Sequence, residues 1–213
     1  MTRWLATLRA RGALICAVVL HALSVGATED ALAAVEDPLK AVEAAIAAQF
    51  SVDETSTKDL ATALASADSA SYLLFDVREP AEFERSHVRD ARRLAPDTKP
   101  DVFEKGLGDK IKGKHLIFYC SVGYRSSVMA DRVRDSAMKS GAVSVANLRG
   151  GLCRWYNEGR VVHDATDTTD AIHPYDRVWG AFVNERPGAQ MMTATPDGVG
   201  RTVVDSVADS SEK

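Results

Sequence analysis

Short apolar runs alternate with amphipathic segments through the middle of the chain. The runs YLLF at 72–75 and HLIFY at 115–119 are rich in leucine, aromatic or branched residues, and AVSVANL at 142–148 has a similar character. Runs of this length and composition predict buried β-strands. Strands that are apolar along their whole length indicate a mostly parallel sheet that is covered on both faces.

Helical patterns lie between and after these strands. The segment at 56–64 begins with Ser56, a favoured N-cap residue, and places Leu60 and Leu64 on one face. The segment at 127–139 has an inward-facing apolar stripe formed by Ala130, Val133 and Ala137. Strands that alternate with helices predict an α/β fold, in which ligands bind beyond the carboxyl ends of the strands.

The composition indicates one domain with extensions. A chain of 213 residues, 46% of them apolar, can bury one good core but is short for two full domains. The formal net charge of −4 argues against a nucleic-acid partner. Cys16, Cys120 and Cys153 show no CxxC pair or zinc-site spacing, so we expect no metal. The lone histidines are interpreted as packing or surface residues, namely His115, His163 and His173.

The first residues have the pattern of a secretory signal peptide. Three arginines precede an apolar run at 12–20, and small residues follow at 25–27. A membrane span needs roughly 20 apolar residues, and His21 interrupts this run, so we expect no stable membrane insertion. Cleavage is expected between Ala27 and Ala33. This predicts export to the bacterial periplasm, with secretion as the alternative.

The two ends of the chain differ in character from its centre. Residues 28–49 carry apolar side chains at helical spacing, and 166–187 combine aromatic and apolar content with prolines. The last residues are polar and contain glycine and serine, which is typical of a mobile tail. We therefore expect a signal peptide at 1–27, a helical extension at 28–49, a central domain at 50–165, a packed C-terminal extension at 166–187 and a flexible tail at 188–213.

Three predicted strands end in chemically distinctive residues. The first strand leads into Asp76 and Arg78, the second into Cys120, and the third towards Gly150 and Gly151. Because the carboxyl ends of parallel strands meet at the same edge of a sheet, we expect these residues to lie close together. Cys120 is at the centre of the predicted site.

The segment YCSVGYRSS at 119–127 predicts a nucleophilic thiol at Cys120. A strand that ends at Cys120 and a helix that begins near Ser126 force the backbone between them to curl, which turns its N–H groups inward. These groups, the helix N-terminus and Arg125 favour a thiolate without a general base. A buried structural cysteine is the alternative. The loop expected to surround the sulfur comprises Ser121, Val122, Gly123, Tyr124, Arg125 and Ser126.

Three motifs over residues 50–163 resemble the rhodanese-like sulfurtransferases. They are DVREPAEFERSHV at 76–88, YCSVGYRSSVMADRV at 119–133 and LRGGLCRWYNEG at 148–159, in the order that the family has them. The resemblance implies a five-stranded, mostly parallel sheet with helices on both faces. It also implies cofactor-free transfer of sulfur from a small anionic donor such as thiosulfate, through a persulfide on Cys120. The acceptor is then cyanide or a thiol, including a thiol of another protein.

Residues beside the loop are expected to support it. We interpret Asp76 and Arg78 as part of the structural frame, with Arg78 paired to Glu79 or Glu82, rather than as direct substrate contacts. Backbone that passes close beneath the loop requires residues without a side chain, and we assign this role to Gly150 and Gly151.

Some positions depart from the family or vary within it. Ser86 stands before His87 where the family usually has glycine, so the turn must tolerate a side chain, and His87 is interpreted as structural. The loop positions of Val122 and Tyr124 vary in the family and are thought to set substrate preference. The loop has no positive charge besides Arg125, so we expect weak thiosulfate binding.

Three alternatives remain open. Cys153 is either a half-buried helix residue or a resolving thiol, and in the second case the chain is a redox protein that uses a Cys120–Cys153 disulfide. A phosphatase or arsenate reductase on the same fold has five residues between cysteine and arginine, whereas four separate Cys120 from Arg125. A binding module on this fold would keep the sheet and lose the cysteine.

Overall fold

The structure is a computed structural model that describes residues 37–173, 175, 177–184, 186, 192–193 and 201–202. The predicted signal peptide at 1–27 lies outside these residues, as do the first part of the predicted extension at 28–49 and most of the predicted tail at 188–213. Among the described helices, none has the length and apolarity that a membrane crossing requires.

The helices and strands alternate along the central part of the chain, as predicted. The described α-helices are α1 (Pro38–Ala47), α2 (Thr57–Leu64), α3 (Pro80–Arg85), α4 (Pro100–Leu107), α5 (Tyr124–Lys139), α6 (Gly151–Asn157) and α7 (Arg177–Gly180). The described strands are β1 (Asp53–Thr55), β2 (Tyr72–Asp76), β3 (Arg92–Arg93), β4 (His115–Tyr119), β5 (Ser144–Leu148), β6 (Val162–His163), β7 (Thr168–Thr169), β8 (Met192–Thr193) and β9 (Arg201–Thr202). Short 3-10 helices occupy Ala67–Ser71 and Gly108–Ile111.

A five-stranded parallel sheet forms the centre of the described structure, in the order β1-β5-β4-β2-β3. All neighbouring strands in it pair in parallel. The three apolar runs of the sequence are its three inner strands, with β4 in the middle. The predicted fold class is therefore confirmed, and the parallel arrangement extends to both edge strands. Those edges, β1 and β3, have the short polar sequences DET and RR, which gave no strand signal.

Helices cover both faces of this sheet. Successive residues of β4 enter different apolar clusters: Ile117 packs in a cluster with α1, α2 and α6, and Phe118 in a cluster with α4 and α5. This alternation arises because successive side chains of a strand point to opposite faces. The predicted N-terminal extension contributes α1, which buries Leu39, Val42 and Ile46 in the same core as the sheet.

Helix boundaries follow the local signals closely. The Ser56 hydroxyl accepts a hydrogen bond from the Asp59 N–H at 3.0 Å, which caps α2 as predicted. Helix α5 begins at Tyr124, two residues earlier than the expected start near Ser126, because Gly123 in the left-handed region ends the preceding turn. This early start places the beginning of the helix directly after the loop that follows Cys120.

Candidate active site

Cys120 lies directly after the central strand β4 and is 2% exposed. Its Sγ accepts a hydrogen bond from the Gly123 N–H at 3.2 Å. Gly123 has a φ of +106°, and a Cβ at this position would lie 3.2 Å from Asn147 Nδ2. The turn therefore favours glycine for its conformation and for its space. The sulfur lies next to the N-terminus of α5, a helix of 16 residues whose backbone dipoles favour negative charge.

Arg125 is bound by Glu82. Arg125 Nη1 donates to Glu82 Oε2 and Nη2 donates to Oε1, both at 2.8 Å. The Ser121 hydroxyl donates to Glu82 Oε1 at 3.0 Å and accepts from Arg125 Nη2 at 3.0 Å. The expectation that Arg125 adds a full positive charge to the loop is therefore corrected, because Glu82 offsets that charge.

The Arg125–Glu82 pair is ionised and buried. Burial raises the pKa of Glu82, but the charge and hydrogen bonds of Arg125, the charge of Arg78 and the Glu79 N–H outweigh it and lower the pKa to about 2. Burial lowers the pKa of Arg125, but the charge and hydrogen bonds of Glu82 raise it overall. Removing either partner would leave the other as an uncompensated buried charge, which is strongly unfavourable.

Asp76 and Arg78 form a second buried ion pair at the end of β2. Arg78 Nε and Nη2 donate to the Asp76 carboxylate at 2.9 and 2.7 Å, and Nη2 also donates to the Ser86 carbonyl. Both residues are 0% exposed. The expected ion pair of Arg78 with Glu79 or Glu82 was wrong, because Asp76 holds the guanidinium. The pair ties the end of β2 to the chain after α3, which supports a structural role.

The backbone at Gly150 and Gly151 passes directly beneath the active loop. At Gly151, with a φ of +54°, a Cβ would lie 2.3 Å from the Cys120 carbonyl oxygen and 2.7 Å from the Ser121 carbonyl oxygen. The Leu152 N–H donates to the Cys120 carbonyl oxygen at 2.8 Å. A Cβ on Gly123 would lie 3.7 Å from the Gly150 nitrogen. The start of α6 therefore supports the loop through backbone contacts.

The side chains of Val122 and Tyr124 lie in the apolar core. The Tyr124 ring packs edge-on against Phe50, with ring centroids 5.5 Å apart. This differs from their expected role in substrate preference, because side chains packed in the core do not line the loop. Ser126 is also buried, and its hydroxyl donates to Asn147 Oδ1 at 2.7 Å, which fastens the start of α5 to β5.

Cys153 is a fully buried residue of α6, with 3% exposure, rather than a half-buried one. Burial raises the pKa of its thiol to about 12, with Cys120 and Glu82 adding to the rise and Arg78 and Arg125 opposing it. Its thiol and that of Cys120 are both free. A resolving thiol has to ionise, so the raised pKa of Cys153 counts against that role.

Ser86 and His87 occupy a turn that tolerates side chains. Ser86 has an extended backbone with a φ of −168° and is buried. His87 Nδ1 donates to the Phe83 carbonyl at 2.9 Å, and its ring stacks on Phe83 at 4.1 Å. Its backbone N–H donates to the His163 carbonyl at 2.7 Å. These contacts support the structural interpretation of His87.

Several residues contact the loop without having been predicted as site residues. Glu82 lies in the first motif but had been considered as a partner of Arg78, not of Arg125. Asn147 is a polar residue inside an otherwise apolar strand, which was a usable signal. Tyr175 lies in the C-terminal extension, and its ring centroid is 4.6 Å from the Arg125 guanidinium carbon. Within the described part of the chain, no group of three or more potential ligands is placed to hold a metal ion.

Comparisons with known proteins place this site in a family. A family model of the rhodanese-like domain matches residues 56–158. A sulfurtransferase of Allochromatium vinosum is 31% identical over 108 residues, which are 51% of this chain and 92% of that protein. The uncharacterized protein YqhL of Bacillus subtilis is 34% identical over 83 residues, which are 38% of this chain.

These matches differ in how much of each relative they cover. The chain spans 59% of the length of YqhL. A solved structure from Bacillus halodurans, the BH2092 protein, is 20% identical, with a TM-score of 0.44, and the match covers 62% of this chain and 89% of that one. The family model includes the Cys120 loop and the motifs on either side of it. Given this match and the coverage of the Allochromatium protein, the chain belongs to the family of proteins with a rhodanese-like domain.

Proposed function

We propose that this protein is a sulfurtransferase that carries sulfane sulfur as a persulfide on Cys120. The observation that carries the proposal is the position of the Cys120 sulfur. It accepts a hydrogen bond from the N–H of Gly123, the residue before α5, in the loop that also contains Arg125. Backbone N–H groups and a helix N-terminus stabilise negative charge on a bound sulfur, including the outer sulfur of a persulfide. Membership of the rhodanese-like family and a relative named as a sulfurtransferase support it.

Transfer takes place in two half-reactions. In the first, the Cys120 thiolate attacks the outer sulfur of a small anionic donor such as thiosulfate, the bond between the donor's two sulfurs breaks, and sulfite leaves with the electron pair. In the second, the carbon of cyanide or the sulfur of a thiolate attacks the outer sulfur of the persulfide. The persulfide S–S bond breaks and its electron pair returns to Cys120. Neither step consumes an oxidant or a reductant.

The site attracts a doubly charged donor only weakly. The charge of Arg125 is offset by Glu82, at hydrogen-bond distances of 2.8 Å. The remaining attraction comes from backbone N–H groups and the N-terminus of α5, which act only at short range. We therefore propose that thiosulfate is a usable donor with a high KM.

The two enzymatic alternatives fit the geometry less well. Bidentate binding of phosphate needs two free N–H groups on one edge of the loop arginine, but Nη1 and Nη2 of Arg125 donate to Glu82, and the second N–H of Nη2 donates to Ser121. A redox protein needs a second thiol that ionises readily, and burial raises the pKa of Cys153 to about 12. Export to the periplasm, or secretion, stays part of the proposal on the strength of the signal-peptide pattern at 1–27.

Mass spectrometry after treatment with thiosulfate tests the proposal. We expect the peptide that carries Cys120 to gain the mass of one sulfur atom and to lose it again when cyanide is added. The peptide that carries Cys153 serves as the internal control and is expected to stay unmodified. A persistent Cys120–Cys153 disulfide without sulfur uptake would point to the redox function instead. Hydrolysis of an aryl phosphate without sulfur uptake would point to a phosphatase.

A further inference from the structure

The C-terminal extension contacts the active loop. The Tyr175 ring centroid lies 4.6 Å from the guanidinium carbon of Arg125, which is a cation–π distance. Arg125 also donates to the hydroxyl of Ser121, the residue that follows Cys120. Tyr175 lies outside residues 56–158, the part of the chain that the rhodanese-like model matches. The contact is therefore an addition to the matched domain.

The contacting segment, residues 171–173 together with Tyr175, is here called the strap. Helix α6 anchors the chain before and after it. The Tyr156 hydroxyl donates to the Asp170 carbonyl at 2.8 Å, and Asn157 Nδ2 donates to the Phe182 carbonyl at 2.8 Å. Three residues of the strap are buried in the domain, namely Ala171, Ile172 and His173. The chain is therefore fixed to the domain before Tyr175, at Asp170 and the three buried residues, and after it, at Phe182.

The conformation of Tyr175 is fixed by His173. Tyr175 has a φ of +65°, in the left-handed region that tyrosine rarely adopts. Its N–H donates to His173 Nδ1 at 3.0 Å, which requires that nitrogen to be unprotonated. Burial lowers the pKa of His173; Glu82 opposes this, and the cationic side chains of Arg78, Arg85 and Arg125 reinforce it. A backbone conformation held against its preference is characteristic of functional segments.

We propose that the strap forms one wall of the entrance to Cys120 and restricts sulfur acceptors to small nucleophiles, with Tyr175 as a specificity-determining residue. Arg125 holds Tyr175 in this position. Glu82 binds the edge of the Arg125 guanidinium through two hydrogen bonds, and the Tyr175 ring packs against its face. Cys120 is 2% exposed, so an acceptor has to reach a nearly covered sulfur.

The acceptor class rests on the proposed function. The acceptor attacks the outer sulfur of the persulfide along the S–S bond, that bond breaks, and its electron pair stays on Cys120. Cyanide or a low-molecular-weight thiol can approach along this line past a fixed aromatic ring. A thiol on the surface of a folded protein brings its neighbouring residues against the same ring. The strap therefore favours cyanide and small thiols over protein thiols.

Labelling of Cys120 by thiol reagents of two sizes tests the wall independently of sulfur transfer. Rates with iodoacetamide and with a polyethylene glycol maleimide are measured from the mass of the Cys120 peptide in wild type and variants. We expect Tyr175→Ala to raise the ratio of the rate with the maleimide to the rate with iodoacetamide by about 2- to 30-fold, the range that corresponds to loss of one cation–π contact. Tyr175→Phe keeps the ring and is expected to keep the wild-type ratio.

The matched control is Tyr72→Ala, since Tyr72 begins β2 at the end of the strand that is remote from Cys120, and its ring stacks on His115 at 4.9 Å. An unchanged ratio of labelling rates in Tyr175→Ala, or an equal rise of this ratio in Tyr72→Ala, would contradict the proposal that the strap forms a wall of the entrance to Cys120. If circular dichroism shows that the alanine variant does not fold, Tyr175→Leu gives the same test, because it keeps an apolar side chain without the ring.

A second readout compares acceptors. Reduced thioredoxin serves as a probe protein dithiol. Tyr175→Ala is expected to raise the ratio of the transfer rate to thioredoxin over the transfer rate to cyanide by about 2- to 30-fold, as for labelling. An equal loss of both rates means that Tyr175 only positions Arg125, which overturns the specificity role. Failure of the proposed function itself would appear as absent sulfur uptake in every variant, while the labelling ratio would still report on the wall.

Discussion

Cys120→Ser is expected to abolish the formation of thiocyanate from thiosulfate and cyanide. A serine hydroxyl is not ionised at neutral pH and forms no persulfide, so the variant has no group to accept the sulfur. Removal of a covalent nucleophile typically costs several orders of magnitude, and we expect a loss of at least about a thousandfold. The measurement is the initial rate of thiocyanate formation at a fixed donor concentration.

Cys153→Ala is the matched control for this substitution. Both cysteines are buried and free, but only Cys120 accepts a hydrogen bond from the active loop. The Cys153 variant is expected to keep wild-type turnover, and circular dichroism checks that both variants fold. Turnover that survives in Cys120→Ser, or that disappears in Cys153→Ala, would exclude Cys120 as the sole sulfur carrier.

Glu82→Gln is expected to destabilise the folded protein by about 3–5 kcal/mol, the usual cost of breaking a buried ion pair from one side. The Glu82 side chain is 2% exposed and that of Arg125 is 12% exposed, so little water can replace the lost carboxylate. The measurement is the midpoint of urea unfolding together with its slope. Sulfur transfer is also expected to fall, because Arg125 and Ser121 lose the group that holds them beside Cys120.

An exposed carboxylate provides the comparison. Asp101 pairs with Lys105 at 3.9 Å, with side chains 62% and 81% exposed. Because exposed ion pairs contribute little, Asp101→Asn is expected to change the free energy of unfolding by less than about 1 kcal/mol. Equal changes in the free energy of unfolding in the Glu82 and Asp101 variants would show that the buried ion pair stabilises the fold no more than the exposed one.

The effect of Glu82→Gln should also depend on pH. The pKa of Glu82 falls from its ordinary value of 4.5 to about 2 in the folded protein. A lowered pKa means that the folded state binds this proton less readily than the unfolded state, so the stabilisation is complete above pH 4.5. It is lost as the pH falls from there towards about 2. The difference in unfolding free energy between wild type and variant is therefore expected to shrink over this range.

The sequence was sufficient where a local pattern had one physical interpretation. The largely apolar runs became the inner strands β2, β4 and β5, because a strand of a parallel sheet that helices cover on both faces carries apolar side chains on both sides. A strand that ends at Cys120 and a helix expected to start near Ser126 implied a tight turn between them, and that turn brings the Gly123 N–H to the Cys120 sulfur. Both features depend on residues that are near one another in the sequence.

Long-range pairing was not predictable in the same way. Arg78 and Arg125 each had several acidic residues within reach, and the sequence did not show that Asp76 takes the first and Glu82 the second. The contact of Tyr175 with Arg125 joins residues that are far apart in the chain. The edge strands β1 and β3 form because their neighbours offer free backbone groups, which their own polar sequences do not reveal.

A single turnover tests most directly whether Cys120 itself carries the sulfur. Protein loaded with thiosulfate is freed of donor by gel filtration and then mixed with cyanide. The sulfur is predicted to leave the Cys120 peptide at the rate at which thiocyanate appears, and in equal amount. Thiocyanate that forms while the sulfur stays on Cys120 would contradict a persulfide intermediate at this residue.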